Sequence, residues 1–283
     1  KGLKNCRIAA IGARPDAFNT VRYSEKILQK HKIGVHTADM SEIIFAAKNM
    51  ENGPRVQQKI EEILSYGNIL PEIGDAKIVK QAKLCLAIED CIKKYECQAS
   101  AIQCWDSIEE NYGCATCLCM SLMGEQGKPS ACEMDVTGAV TMYAMLLAGE
   151  TPPAYMDWDN NVDDDRNCCV CLHCSNFPKS FFGTEDIEIG NLDVLATTIG
   201  AEKCFGACKG QVKEGPMTFA KLSTDDTSGK LKMYVGEGEF RSTPIDTKGG
   251  VAFCHVEGLQ NLLNYMCCNG YEHHVAFARG QIA

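Results

Sequence analysis

Apolar and polar positions recur with two different rhythms along the chain, and the rhythm changes near residue 150. In the first half short apolar runs alternate with amphipathic stretches. Arg7-Ile-Ala-Ala-Ile-Gly12 and Lys32-Ile-Gly-Val-His36 predict strands, and Val21 to Lys30 between them predicts a helix. Arg55 to Ser65 places Val56, Ile60 and Leu64 on one face, and Ile73 to Tyr95 does the same with Ile78, Ala82, Cys85, Ile88 and Ile92. Both have the three-to-four-residue recurrence of an amphipathic helix. Ala99-Ser-Ala-Ile-Gln-Cys-Trp105 has the pattern of a buried strand that ends in polar residues. An apolar run from Val136 to Ala148, closed by Gly149 and followed by Pro152-Pro153, predicts a helix with a boundary behind it.

Beyond that boundary an acidic stretch, expected to be a loop, leads into shorter alternating runs. Pro216 to Leu222 and Leu231 to Val235 flank the turn residues Asp225-Asp-Thr-Ser-Gly229, which predicts an antiparallel hairpin. A helix over Gly258 to Met266 and a last strand over His273 to Arg279 follow. The expected fold is α/β: a Rossmann-like open α/β domain over residues 1–150, then a mainly antiparallel, barrel-like β domain over 151–283.

Composition adjusts this picture in a few places. With 283 residues, 45% hydrophobic and 23% charged, the chain has enough apolar surface for two cores. Its net charge of −9, with basic residues scattered singly or in pairs, argues against a phosphate-backbone footprint, so no nucleic-acid partner is expected. No apolar run approaches the ~18 residues of a membrane span, and Lys1 to Asn5 lacks signal-peptide architecture. A first residue of Lys rather than Met predicts that further residues precede it. Gly12-Ala-Arg-Pro-Asp16 lacks the second and third glycines of a dinucleotide fingerprint, so no nucleotide is expected.

Eighteen cysteines would usually mean disulfides in a small secreted scaffold or metal ligands in a cytosolic protein, and in a chain this long neither fits cleanly. Cys171-Leu-His-Cys174 with Cys204-Phe-Gly-Ala-Cys208 is an alternative four-thiolate zinc or iron-sulfur site. Reduced, buried thiols in a cytoplasmic protein are the simpler expectation.

Three positions carry the hard donor types that a Mn²⁺-like ion accepts: Glu133, Asp157 and His274. Each also has a structural reading. Glu133 stands three residues after Ser130, the spacing of a helix capping box. Asp157 belongs to an acidic stretch near Asp163-Asp-Asp165, which as a loop would be merely solvated; Val162 and Cys168 exclude a calcium-binding loop starting at Asp157. His273-His274 opens an alternating strand, so the two rings are expected on opposite faces, at most one of them serving a given site. His173 is a fourth candidate. Gln103 and Trp105, at a strand's carboxyl end, stand where α/β sheets collect ligands, although a backbone-satisfied amide and a packed indole account for them equally.

Taken in order, Ala131-Cys-Glu-Met-Asp135, Met156-Asp-Trp-Asp159, Leu172-His-Cys174 and Glu272-His-His-Val275 resemble the L-fucose isomerase family and, more distantly, L-arabinose isomerases. The resemblance runs from Cys6 to the last residue. It implies Mn²⁺ or another divalent cation held by Glu133, Asp157 and His274. It also implies Glu133 and Asp157 as the pair that moves protons while an aldose such as L-fucose, D-arabinose or L-arabinose becomes its ketose through an enediol. Gln103, Trp105 and, as in the arabinose branch, His173 would meet the monosaccharide. A trimer or hexamer, and an N-terminal α/β domain and final segment outside these residues, are further implications. The alternative is a non-catalytic sugar-binding protein that keeps the fold.

Overall fold

In the computed structural model, which describes residues 2–162, 164–183 and 187–283, the chain opens on β1 (Arg7–Ile11), whose last four residues are buried. Helix α1 (Glu25–Lys30) starts where the Ser24 side chain accepts from Ile27 N. Next come β2 (Gly34–Ala38), α2 (Met40–Asn49) capped by Asp39, α3 (Pro54–Tyr66) and the two-residue β3 (Asn68–Ile69). The proline at the start of α3 loses no hydrogen bond there. Helix α4 (Asp75–Lys94) buries Ile78, Ala82, Cys85, Ile88 and Ile92, and leads to β4 (Ala99–Ile102), buried at every position. Helices α5 (Ser107–Tyr112) and α6 (Cys117–Glu125), strand β5 (Ser130–Ala131) and helix α7 (Val136–Gly149) follow. Strands β2-β1-β4-β5 form one parallel sheet.

The second half contributes β6 (Ala154–Val162), β7 (Asp165–His173), α8 (Lys179–Phe182), β8 (Glu188–Asn191), α9 (Asp193–Ile199) and β9 (Phe205–Gln211). It ends with β10 (Gly215–Asp225), β11 (Lys230–Arg241), β12 (Gly250–His255), α10 (Leu259–Cys268) and β13 (His274–Arg279). Six strands in the order β11-β10-β13-β6-β7-β12 pair antiparallel throughout, and the β11–β12 pairing closes them into a barrel. Closure removes the unpaired edges that an open sheet would expose. Strands β9, β8 and β3 extend outward from β12, so a strand from the first half of the chain ends the second sheet.

Helix α7 joins the two sheets. Val136, Ala139 and Val140 share one core with Ile8, Ala99 and Ala101 of the parallel sheet and with Tyr155, Ala220, Ala276 and Ala278 of the barrel. The alanines on three sides let backbones approach closely, and Gly138 carries this furthest. A Cβ there would stand 1.9 Å from the Tyr155 hydroxyl.

Several sequence expectations shift. The first helix begins at Glu25 rather than Val21, because Ser24 is its cap and Val21 lies in a short 3-10 turn. The second strand runs two residues later than its apolar run suggested. The acidic stretch is no loop: it is the β6–β7 hairpin, whose strands carry polar residues because they border a site. Asp163 of that stretch lies outside the described residues. Helix α6 was not expected, since burial of Cys117 through Gly124 leaves no polar face to generate a period. All eighteen cysteines are free thiols; sixteen are buried or partly buried, and Cys267 and Cys268 are exposed. No helix among the described residues is long and apolar enough to cross a membrane.

Candidate metal centre

Strand register brings the first two candidates together. His274, the first residue of β13, lies directly opposite Asp157 on the neighbouring β6, across 117 residues of sequence. His173 ends β7, the strand on the other side of β6. Glu133 arrives from the parallel sheet. It follows β5, and both Glu133 and Met134 take left-handed backbone conformations, φ +58° and +62°, before α7 begins. Such conformations cost a non-glycine residue about 1 kcal/mol or more. Here they turn the glutamate toward the end of the barrel.

Glu133 is therefore not the partner of a capping box at Ser130. Ser130 is a strand residue whose hydroxyl accepts from the Ser100 hydroxyl, and the cap of α7 is Asp135, whose Oδ1 accepts from Gly138 N at 2.7 Å.

The four side chains converge. His274 Nε2 is 3.2 Å from Glu133 Oε2 and 3.5 Å from Asp157 Oδ1, and His173 Nε2 is 3.9 Å from Glu133 Oε1. His273 joins them, with its Nε2 3.6 Å from Glu133 and 3.7 Å from Asp157. This corrects the expectation that only one of the paired histidines can face the site. Strand β13 starts at His274, so the strict alternation of a strand does not reach His273, and the two rings lie 4.0 Å apart. Thr20 fixes His273 from behind through a 2.6 Å hydrogen bond at Nδ1.

Buried polar atoms without partners mark the centre. Glu133 Oε2, Asp157 Oδ1, both nitrogens of His173 and His274 Nε2 make no aligned hydrogen bond among the described residues. Unpaired buried groups of this kind are costly unless something else satisfies them. Glu133, His273 and His274 form one group with ligand atoms within 4.8 Å of one another, and Asp157, His173 and His274 form a second. Oxygen and imidazole donors of this kind suit a borderline-hard divalent cation.

The electrostatics behind His274 are the part that sequence reasoning missed. Asp135 Oδ2 accepts from His274 Nδ1 at 3.2 Å, from the Lys221 ammonium at 2.5 Å and from the Tyr155 hydroxyl. Asp135, Lys221 and His274 are fully buried. Burial alone would raise the Asp135 pKa, but the charges and hydrogen bonds of Lys221 and His274 hold it well below the usual carboxylate range. The ionised Asp135 orients the His274 ring so that Nε2 faces Glu133 and Asp157, the carboxylate–histidine arrangement that supports metal ligands. Burial would also lower the His274 pKa, yet the hydrogen bond to Asp135 and the adjacent carboxylates of Glu133 and Asp157 push it up to about 10. Glu133 is pulled down to about 2: burial opposes ionisation, and the imidazoles of His273 and His274, 3.6 and 3.2 Å away, overcome it. Burial lowers the pKa of His173, favouring its neutral form. The signals for this layer were a lone lysine inside the apolar run Thr218-Phe-Ala-Lys-Leu222 and an aspartate three residues ahead of a helical glycine.

Of the two residues expected at the strand end, only Trp105 reaches the centre. Strand β4 stops at Ile102, and Trp105 then lines a cleft of about 240 Å³ together with Phe18, Glu133, Asp157 and Cys174. Gln103 Oε1 instead accepts from Ala13 N at 2.9 Å, and the residue borders a separate cleft of about 900 Å³ beside α2. Its amide is satisfied by backbone. Among the described residues, Cys171, Cys174, Cys204 and Cys208 do not gather into a thiolate site.

A parallel α/β sheet joined through one helix to a closed antiparallel barrel, with carboxylates and imidazoles meeting where they join, defines a class of two-sheet proteins with a cation-type site. Residues 171–283 match the family model described as L-fucose isomerase, C-terminal domain. Sulfoquinovose isomerases from Priestia aryabhattai and Priestia megaterium are 24% identical over 300 aligned residues, covering 100% of this chain and 61% of each relative. A sulfoquinovose isomerase from Alkalicoccus urumqiensis is 27% identical over 180 residues, covering 62% of this chain and 39% of that protein. Its last 113 residues are thus similar to the C-terminal domain of L-fucose isomerases, and the chain as a whole is similar to part of the sulfoquinovose isomerases. It spans 61% of the length of the Priestia relatives it matches.

Proposed function

We propose that this chain carries the metal centre of a divalent-cation-dependent aldose–ketose isomerase. The observation that supports this reading is the convergence of Glu133, Asp157 and His274, with their inward-facing atoms buried and unpartnered. These three residues would hold the ion, Mn²⁺ by donor type, with His273 and His173 beside it. When bound, such an ion polarises a carbonyl and favours removal of the neighbouring proton.

The chain's own groups supply the rest. Glu133 is held ionised at neutral pH and Asp157 stands 27% exposed at the cleft, so two carboxylates of different access flank one site. One takes the proton from the carbon next to the carbonyl, the other handles the hydroxyl proton, and reversal of both steps returns the product. Trp105 and Phe18, whose rings meet edge to face at 5.8 Å, wall the cleft and exclude water from the exchanged proton. His173, neutral and buried, offers a hydrogen bond to a sugar hydroxyl. Residues 1–150 and 151–283 act as two domains sharing this centre, in a cytoplasmic homo-oligomer of three or six subunits. The relatives' name places sulfoquinovose at the head of the aldoses to be tried.

The test is elemental analysis of the full-length protein, wild type beside Glu133→Gln, with an assay for ketose formation on a panel of aldoses in added Mn²⁺. Bound manganese and turnover, both lost in the variant, are expected. No bound divalent metal and no turnover of any aldose would reject the reading.

A further inference from the structure

Glu133 belongs to a second group of donor atoms besides the one it forms with His273 and His274. Cys104, Cys132 and Glu133 place one ligand atom each within 4.8 Å of one another, and of the three such groups among the described residues this one alone contains sulfur. The two sulfurs are 2.8 Å apart, and all three residues are buried.

Parallel strand ends bring the thiols together. Strands β4 and β5 are neighbours, with Ser100 opposite Ser130 and Ala101 opposite Ala131. Cys132 directly follows β5, Cys104 stands two residues past the end of β4, and Met134 N donates to Ile102 O at 3.2 Å between the same two segments. The backbone turns left-handed at the residue after each cysteine, Trp105 at φ +55° and Glu133 at φ +58°, and both of those residues line the 240 Å³ cleft. The cleft therefore reaches to within one residue of either thiol along the chain.

The two groups that share Glu133 differ in softness. Carboxylate and imidazole suit Mn²⁺, whereas two thiols with a carboxylate suit zinc or cadmium. When a dication binds the pair, both thiol protons leave to solvent, and the two thiolates cancel the charge of the ion, which lowers the cost of placing it in a buried site. An ion about 2.3 Å from each sulfur in tetrahedral geometry requires the pair to open by about 1 Å.

We propose that Cys104, Cys132 and Glu133 form a site for a thiophilic dication, Zn²⁺ or Cd²⁺, that competes with the histidine centre for Glu133. Its occupation takes that carboxylate away from Mn²⁺, so a soft cation inhibits here without entering the histidine centre. The inhibition, though not the site, rests on the isomerase reading above.

The probe is Cd²⁺, added to the full-length protein after its metal has been removed by chelation, with Cys104→Ser and Cys132→Ser beside wild type. In wild type the first equivalent is expected to raise the ultraviolet charge-transfer absorption of a cadmium thiolate. Either variant is expected to bind Cd²⁺ about 10- to 100-fold more weakly, with that absorption diminished. In the Mn²⁺-loaded protein, Cd²⁺ should release manganese and stop turnover in wild type, at a concentration where Cys104→Ser keeps both. No thiolate absorption at the first equivalent, or absorption of full size in both variants, would overturn the site. Equal loss of manganese from wild type and Cys104→Ser would show Cd²⁺ replacing Mn²⁺ among the histidines and would overturn the competition. A cysteine-dependent absorption in a protein that binds no manganese and turns over no aldose would reject the isomerase reading and leave the thiolate site standing.

Discussion

At the scale of single residues, Asp135 carries more than its sequence position suggests. One carboxylate caps α7, pairs with buried Lys221 and orients His274. Asp135→Asn is expected to weaken Mn²⁺ binding about 10- to 100-fold, measured by metal titration of the purified protein; unchanged affinity would remove Asp135 from the metal centre. Lys221→Met leaves that carboxylate buried without its cation and is expected to cost about 3–5 kcal/mol in urea unfolding. The double variant with Asp135→Asn should recover part of the loss, because the unpaired charge is then gone. Additive losses would show that the two residues do not act as a pair.

Glu109 on α5 is a second residue-scale case, away from the candidate metal centre. It is fully buried, neither carboxylate oxygen has a partner among the described residues, and burial raises its pKa from 4.5 to about 7. Between those two values the folded protein keeps a proton that the unfolded chain releases. Stability from this group is therefore complete below about pH 4.5, falls as pH rises to about 7, and is flat above. Glu109→Gln, which mimics the protonated acid, should gain on the order of 3 kcal/mol relative to wild type between those limits. Urea unfolding at a series of pH values tests this, and parallel stability curves would refute it.

At the scale of elements, α7 decides how the two sheets meet. Gly138 leaves no room for a side chain against the Tyr155 hydroxyl, which in turn bonds Asp135. Gly138→Ala is expected to destabilise the protein by about 1–3 kcal/mol by overpacking and to weaken Mn²⁺ binding by displacing Tyr155 from Asp135; a stabilised variant, as helix propensity alone would give, would show that the close approach is not required. Legibility at this scale followed periodicity. Helices α3, α4 and α7, and the hairpin of β10 and β11 around Asp225 to Gly229, were readable because each has an apolar pattern bounded by turn or cap residues. Helix α6 was not, since it is buried all round. The β6–β7 hairpin was hidden because its acidic residues look like a solvated loop.

At the scale of the whole molecule, the donors come from separate parts of the chain: Glu133 from the parallel sheet, Asp157, His173 and His274 from three strands of the barrel. An ion that bridges them stabilises only the folded arrangement. At about 100 times its dissociation constant, Mn²⁺ should add roughly 3 kcal/mol, seen as a rise in melting temperature that EDTA reverses and that Glu133→Gln abolishes. An equal rise in the variant would place the ion elsewhere.

The sequence by itself determined the α/β-then-β order, the principal helices and the chemical types at Glu133, Asp157, His173 and His274, because periodicity and side-chain chemistry are local properties. Only the tertiary structure decided that His273 shares the centre, that Gln103 turns away from it, and that Asp135 and Lys221 support it from behind. Those outcomes depend on where β13 begins, where β4 ends and how closely α7 packs on the barrel, and each is set by pairing and packing between residues distant in the chain.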